Sequence, residues 1–137
     1  MNQVPQKLRR IAVEEAFSIP EVAQGLQQVA RGPGSSADLP LMRGIYDAKP
    51  GYASLKFLDG LLDIEHRRIA EMDQYGVDMH VLSLTAPGVQ MFDADTACEL
   101  ATLSNDRLAE VIARHPTRFA GLGSFAPQSP KRAVKEM

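Results

Sequence analysis

The chain has 137 residues, of which 45% are hydrophobic and 23% charged, and its formal net charge is −2. This composition is typical of one globular domain and excludes a disordered chain or a basic nucleic-acid-binding domain. No apolar run approaches the roughly 18 residues that cross a membrane, and the N-terminus lacks a secretory signal pattern. The single cysteine, which has no partner for a disulfide bond within the chain, favours a cytoplasmic protein.

The first predicted element is a short strand over residues 10–16, with two glutamates near its carboxyl end. Residues 17–50 form a long irregular stretch with a short helix over 20–30 and a loop at the Gly- and Pro-rich residues 32–36. Residues 54–75 carry one apolar stripe at helical spacing, which predicts a single helix. The stripe consists of Leu55, Leu58, Leu62, Ile69 and Met72.

The second half of the chain repeats this alternation of strand and helix. Gly76 stands where the helix should end, and a strand is predicted over 78–84. A helix follows from Asp93 or Asp95 to Arg114, because either aspartate can cap it and Pro116 disfavours its continuation. The last elements are a strand over 118–125 and a helix that begins at Pro130.

Alternating strands and helices predict a parallel α/β sheet, either part of a (β/α)₈ barrel or a doubly wound sheet. In both folds, ligands bind at the carboxyl ends of the strands. The residues expected at that edge are therefore 14–17, 84–90 and 124–128.

Glu14 and Glu15 depart from the apolar pattern of a buried parallel strand. Alternation along the strand puts the two carboxylates on opposite sides, so that one of them can point into a barrel. A carboxylate in that position needs a partner, and a divalent metal ion is a suitable one. Two solvated glutamates, or an ion pair with a neighbouring arginine, explain the same pattern.

The other polar candidates have structural interpretations. Thr85 begins a Pro-Gly turn after the second strand, where its hydroxyl group can line a pocket or simply belong to the turn. The three histidines, at 66, 80 and 115, lack the spacing of a zinc site, and Cys98 has no neighbouring base, which favours a buried thiol. The charged residues 65–68, with Glu71 and Asp73, are typical of a solvated helix face.

A series of short motifs, in order, gives the chain a family resemblance. They are Arg-Ile-Ala-Val-Glu-Glu-Ala-Phe at 10–17, Arg-Arg-Ile-Ala-Glu-Met-Asp at 67–73, Gly-Val-Asp at 76–78, Leu-Thr-Ala-Pro-Gly-Val-Gln at 84–90, Asn-Asp at 105–106, Pro-x-Arg-Phe-x-Gly at 116–121 and Ala-Pro at 126–127. The chain resembles the metal-dependent aromatic acid decarboxylases of the amidohydrolase superfamily. Within that group it is most similar to the 5-carboxyvanillate, 2,3-dihydroxybenzoate and γ-resorcylate enzymes.

The resemblance implies a (β/α)₈ barrel with one divalent metal ion, Mn²⁺ or Zn²⁺, and no organic cofactor. It implies non-oxidative loss of CO₂ from a small phenolic acid, with Glu14 as a metal ligand and Thr85 and Tyr46 as substrate-binding residues. The remaining ligands and the catalytic proton donor of this family lie on later strands, so no catalytic residue is expected within the 137 residues. The family also implies a homo-oligomer, a dimer or a tetramer, with no nucleic-acid or membrane partner.

Because a complete barrel needs about 250 residues, residues 1–137 are expected to form the N-terminal part of one barrel domain, with its first three βα units. The sequence leaves two alternatives to the decarboxylase open. One is a metal-dependent lactone or amide hydrolase of the same superfamily. The other is an inactive partial barrel that folds only by association, because its sheet edges would be unpaired.

Overall fold

The computed structural model describes residues 8–47 and 53–137, with the backbone alone for residues 53–55. One or more helices separate each strand from the next, as the sequence predicts. In chain order the elements are β1 (Ile11–Phe17), α1 (Pro20–Arg31), α2 (Leu39–Tyr46), α3 (Ala53–Leu62), α4 (His66–Tyr75), β2 (Met79–Leu84), α5 (Ala94–Arg114), β3 (Phe119–Leu122) and α6 (Pro130–Glu136).

The three strands form one parallel sheet in the order β1-β2-β3. Consecutive strands are neighbours, and helices make each crossover, which is the arrangement of successive βα units. The carboxyl ends of the strands lie at one edge of the sheet, where Phe17 of β1 stands beside Leu84 of β2. The predicted α/β fold class is thereby confirmed.

The hydrophobic core lies on the side of the sheet that the helices cover. Phe17, Leu82 and Phe119 contribute one fully buried side chain from each strand, and Leu26 and Met72 pack there from α1 and α4. Burial of each such side chain contributes roughly 1.5–3 kcal/mol to folding. Other apolar strand residues lie exposed, among them Val13 at 64% and Leu122 at 59%.

The predicted single helix over 54–75 is wrong, since α3 ends at Leu62 and α4 begins at His66. The carboxylate of Asp63 accepts hydrogen bonds from the main-chain N–H groups of residues 65, 66 and 67, at 2.9–3.2 Å. These N–H groups would otherwise bond to carbonyl groups one turn earlier, so Asp63 ends one helix and caps the next.

Two further boundaries differ from the prediction. Residues 39–46, expected to be irregular, form α2, which buries Leu39, Met42 and Tyr46. The predicted strand over 118–125 is shorter and ends at Leu122. Beyond β3, the side chain of Asn105 makes hydrogen bonds that a neighbouring strand would otherwise make. Its amide accepts from the N–H of Ser124 at 2.7 Å and donates to the carbonyl of Ser124 at 2.8 Å.

The predicted helix ends near β2 are confirmed. Gly76 follows α4 with a φ of 68°, a left-handed conformation that glycine adopts without strain. Asp93 caps α5 and accepts from the N–H groups of Asp95 and Thr96, both at 3.1 Å. Across the described ranges, no helix is both long and apolar enough to span a bilayer.

Candidate functional site at the carboxyl edge of the sheet

The loop after β2 starts at the edge where β1 ends. The N–H of Thr85 donates to the carbonyl of Phe17 at 2.8 Å, so the partly buried Thr85 continues the pairing of the two strands. Its own carbonyl accepts from the N–H of Gly88 at 2.8 Å, which closes a tight turn. Gly88 has a φ of 60°, which a residue with a β-carbon rarely adopts. Thr85 is therefore held at the edge where ligands bind in such folds.

Gln128 ties this loop to the segment that follows β3. Its side-chain amide donates to the carbonyls of Val89 and Phe92, both at 3.0 Å. The sequence placed residues 84–90 and 124–128 at the same edge, and the contact of Gln128 with Val89 brings these two segments together. No motif or spacing in the sequence indicates that Gln128 connects these two segments.

Glu14 lies at an irregularity of β1. Ala12 pairs with His80 and Glu15 with Leu82, so Val13 and Glu14 together stand opposite the single residue Val81. This is a β-bulge, which redirects side chains locally and often lies next to active sites. Glu14 is the fourth residue of the seven-residue strand β1 and so precedes its carboxyl end, where the sequence had suggested it.

The side chain of Glu14 is exposed and borders a groove of about 330 Å³ between β1, α3 and α4. Within the part of the chain that the structure describes, it makes no hydrogen bond or ion pair. An exposed, unpaired carboxylate fits the role of an oxygen ligand to a divalent cation. The described residues alone contain no group of three His, Cys, Asp or Glu side chains placed to hold a metal ion, so further ligands would have to come from elsewhere.

Glu15 has the opposite environment, in an ion pair with an arginine, which was one of the alternatives for the two glutamates. Nη1 of Arg68 lies 3.4 Å from Oε2 of Glu15, and Nη2 donates to the carbonyl of Ala16 at 2.7 Å. The expectation of a wholly solvated charged face on α4 is therefore wrong for Arg68, whose side chain is only 11% exposed. His66, Arg67, Glu71 and Asp73 are exposed, as predicted, whereas Glu65 is partly buried, with its side chain 21% exposed.

His80 completes a small polar cluster between β2 and α4. Its Nδ1 lies 3.6 Å from Oε2 of Glu15 and has no hydrogen-bond partner among the described residues. With Glu15 and Arg68 it lines a cavity of about 110 Å³. Burial lowers the pKa of His80, although Glu15 partly opposes this, so the imidazole is neutral at neutral pH. His80 is thus part of the packing behind the sheet, in line with its structural interpretation.

Tyr46, expected to bind substrate, is the last residue of α2 and is only 2% exposed. Its hydroxyl group is buried without a well-formed hydrogen bond to the described residues. Burial raises the pKa of Tyr46, and the nearby hydroxyl group of Ser18 offsets part of this effect. Ser18 follows β1 directly, so Tyr46 packs below the carboxyl edge of the sheet and its hydroxyl group is not open to solvent.

The remaining candidates have structural surroundings. His115 directly follows α5, and its Nε2 lies 2.6 Å from Oε1 of Glu65. Glu65 also accepts from Nε and Nη2 of Arg114, at 3.0 and 2.9 Å. Arg114, and then His115, lower the pKa of Glu65 to about 2. His66 is exposed at the start of α4, and Cys98 is buried, as predicted.

Comparison with known proteins shows which fold these βα units belong to. The described residues match a 5-carboxyvanillate decarboxylase from Sphingomonas paucimobilis with a TM-score of 0.88 and 48% identity, over 95% of this chain and 38% of that one. Amidohydrolase structures of lower identity share the same fold. The described strands and helices are the first three βα units of an amidohydrolase-type (β/α)₈ barrel.

More specifically, the chain is a homologue of decarboxylases that act on aromatic acids. It is 35% identical to a γ-resorcylate decarboxylase from Rhizobium radiobacter, over 93% of this chain and 34% of the relative. It is 38% identical to a 5-carboxyvanillate decarboxylase from Novosphingobium aromaticivorans, solved with manganese and 4-hydroxy-3-methoxy-5-nitrobenzoic acid, over 96% of this chain and 38% of that one, with a TM-score of 0.87. No family model matches the chain. The chain thus spans about a third of the length of the curated relatives it matches.

Proposed function

We propose that this chain forms the N-terminal part of the single barrel domain of a metal-dependent decarboxylase, which removes CO₂ from a small phenolic carboxylic acid. The observation that carries the proposal is the likeness over nearly the whole chain to two groups of such decarboxylases. One of these relatives holds manganese together with a substituted hydroxybenzoic acid. The exposed, unpaired Glu14 on β1 supports the same assignment, because it offers an oxygen ligand.

In this proposal, Glu14 contributes one carboxylate to a divalent metal site, with Mn²⁺ as the first candidate and Zn²⁺ as the second. When bound, the cation supplies positive charge that attracts and orients the carboxylate and phenolate oxygens of the substrate. The remaining metal ligands and the acid that protonates the ring carbon come from polypeptide outside these 137 residues. No organic cofactor takes part in the reaction.

Two further residues act on the substrate in this proposal. Thr85, held at the carboxyl edge by its bond to Phe17, offers its hydroxyl group for a hydrogen bond. Tyr46 contacts the substrate only if its side chain leaves the buried position that it occupies here, or if a homo-oligomer rearranges α2. Thr85→Val is therefore expected to raise KM more than Tyr46→Phe does.

The test is an assay of CO₂ release by the gene product that carries this chain, supplied with Mn²⁺. The panel contains 2,6-dihydroxybenzoate, 2,3-dihydroxybenzoate and 5-carboxyvanillate, with 4-hydroxybenzoate as a control that lacks the ortho hydroxyl group. CO₂ release from at least one of the first three compounds is expected. Absence of CO₂ from all of them, above all with turnover of a lactone or an amide, would contradict the proposal in favour of a hydrolase.

A further inference from the structure

The adjacent residues Glu14 and Glu15, at the bulge in β1, have different environments. Glu14 is exposed, whereas the side chain of Glu15 is two-thirds buried and paired with Arg68. Side chains alternate along a strand, so a slip of one residue in the pairing of β1 with β2 would exchange the two carboxylates. Something must therefore determine which glutamate is left exposed.

Arg68 contacts β1 at two points just beyond the bulge. Its Nη1 lies 3.4 Å from the carboxylate of Glu15, and its Nη2 donates to the carbonyl of Ala16 at 2.7 Å. A guanidinium group is planar and holds its donors in a fixed relation to one another. One side chain thus sets both the direction of the Glu15 carboxylate and the position of the next main-chain carbonyl.

Because Arg68 is buried, its contacts favour one register of β1 over the other. The side chain of Arg68 is 11% exposed, and Glu15 is the carboxylate that pairs with it. A buried cation that loses its partner is strongly destabilising. In the slipped register Glu15 would turn away from α4 and the Ala16 carbonyl would move, so Arg68 disfavours that register.

We propose that Arg68 is a positioning residue, which selects Glu14 rather than Glu15 as the exposed carboxylate and hence as the metal ligand. This inference rests on the proposed function, because it concerns the ligand of the metal site assigned there. Arg67 provides a matched control. It is the neighbouring arginine on α4, is 56% exposed and pairs with Glu71 one turn away, at 2.7 Å.

The first measurement is amide hydrogen exchange of β1 in wild-type protein, Arg68→Gln and Arg67→Gln. In Arg68→Gln, exchange across Val13–Ala16 is expected to be about 10-fold faster or more, because a buried ion pair and a main-chain hydrogen bond are lost. Arg67→Gln is expected to match the wild type. Equal protection of β1 in all three proteins would overturn the proposal.

The second measurement is the affinity of the gene product for Mn²⁺ alone, together with its urea midpoint. Loss of a group that orients a metal ligand typically weakens metal binding about 10- to 100-fold. Arg68 orients Glu14 only through β1, and Arg68→Gln is expected to fall in that range while Arg67→Gln stays like the wild type. If Arg68→Gln does not fold, Arg68→Lys replaces it, since lysine keeps the charge but lacks the planar guanidinium group whose separate nitrogens reach Glu15 and Ala16. Wild-type Mn²⁺ affinity in the folded Arg68 variant would overturn the proposal.

A Glu14→Gln variant separates this inference from the proposed function. If Glu14→Gln leaves Mn²⁺ affinity unchanged, the metal role of Glu14 is wrong and the proposed function loses its ligand. If Glu14→Gln abolishes binding while Arg68→Gln binds Mn²⁺ like the wild type, the metal role stands and only the positioning role of Arg68 fails.

Discussion

Single carboxylates hold several of the junctions between elements in this chain. Asp63 joins α3 to α4 by accepting three main-chain N–H groups, and Glu65 joins the start of α4 to the end of α5. Glu15 joins β1 to α4 through Arg68. These contacts are made by residues whose charge alone would suggest a solvated surface.

Removal of the Asp63 carboxylate should destabilise the protein, because three N–H groups at the start of α4 lose their acceptor. Asp63→Ala is expected to lower the free energy of unfolding by about 1 kcal/mol, as for other helix caps. Urea denaturation followed by circular dichroism measures this change. Asp106→Ala, at an exposed position within α5, serves as the control and should cause no such loss. An equal loss in both variants would contradict the capping role of Asp63.

Glu65 should make stability depend on pH in the acidic range. Arg114 and His115 lower its pKa from 4.5 to about 2, so its charged form stabilises the folded state. This contribution is fully present above pH 4.5 and is lost as the pH falls towards 2. In Glu65→Gln, the urea midpoint should therefore change less than that of the wild type between pH 4.5 and pH 2. Glu99→Gln, on the exposed side of α5, should retain the wild-type dependence of the urea midpoint on pH. A Glu65→Gln curve parallel to that of the wild type would contradict the stabilising role of the charged Glu65.

At the residue scale, the sequence indicated Glu14 but not its bulge or the burial of Arg68. A pair of glutamates in an otherwise apolar strand is visible in the sequence, and so is their alternation. The register that places Val13 and Glu14 against Val81 depends on pairing between residues that are 67 or 68 positions apart, which no local pattern encodes. Arg68 stands beside exposed charged residues in the sequence, and only the packing of α4 on β1 separates it from them.

At the scale of elements, close packing between β3 and α5 requires a residue without a side chain. A β-carbon at Gly121 would lie 2.6 Å from Cδ2 and 2.9 Å from Cγ of Leu108, and 3.0 Å from Cδ1 of Ile112. Since Leu108 is buried, α5 cannot move aside freely. Gly121 therefore sets the distance between this strand and this helix.

Gly121→Ala should cost about 1–3 kcal/mol of stability, in the range typical of overpacked cores. Gly123→Ala is the matched control two residues away, because a β-carbon there meets nothing nearer than Oδ1 of Asn105 at 3.8 Å. Thermal or urea unfolding of the two variants provides the comparison. Gly121→Ala as stable as Gly123→Ala would show that α5 yields to the added methyl group.

Most elements could be predicted because hydrophobic periodicity and caps are local signals. The strands, α1 and α5 follow from such signals, as do Gly76 after α4 and Pro130 at the start of α6. The break between α3 and α4 could not be predicted from periodicity, since Leu62 and Ile69 keep the same apolar stripe on either side of it. Asp63 makes the break through its side chain, and an aspartate inside a helical pattern does not by itself indicate this.

At the scale of the whole molecule, one face of the sheet exposes apolar side chains among the described residues. Leu122 on β3 and Val13 on β1 are 59% and 64% exposed, whereas their neighbours Phe119 and Phe17 are buried under the helices. In a (β/α)₈ barrel, one face of each strand packs against the others in the barrel interior. The exposure of Val13 and Leu122 is thus explained if the rest of such a barrel would cover this face of the sheet.

The 137-residue chain on its own should associate through this face, because exposed apolar strand residues promote contacts between copies. Leu122→Lys is expected to shift sedimentation velocity profiles towards the monomer. Val134→Lys, at a 73% exposed position on α6, should leave the profile like that of the wild type. A monomeric wild type, or equal effects of the two substitutions, would contradict this prediction.

The central claim is that Glu14 holds the metal ion of an aromatic acid decarboxylase, and the dependence of CO₂ release on Mn²⁺ tests it most directly. The gene product that carries this chain is stripped with a chelator, and Mn²⁺ is then titrated back in the presence of 2,6-dihydroxybenzoate or whichever substrate of the panel is active. Mn²⁺ is expected to restore CO₂ release in the wild type, whereas Glu14→Gln is expected to show little or none at the same concentrations. Release of CO₂ by Glu14→Gln with the wild-type dependence on Mn²⁺ would contradict it.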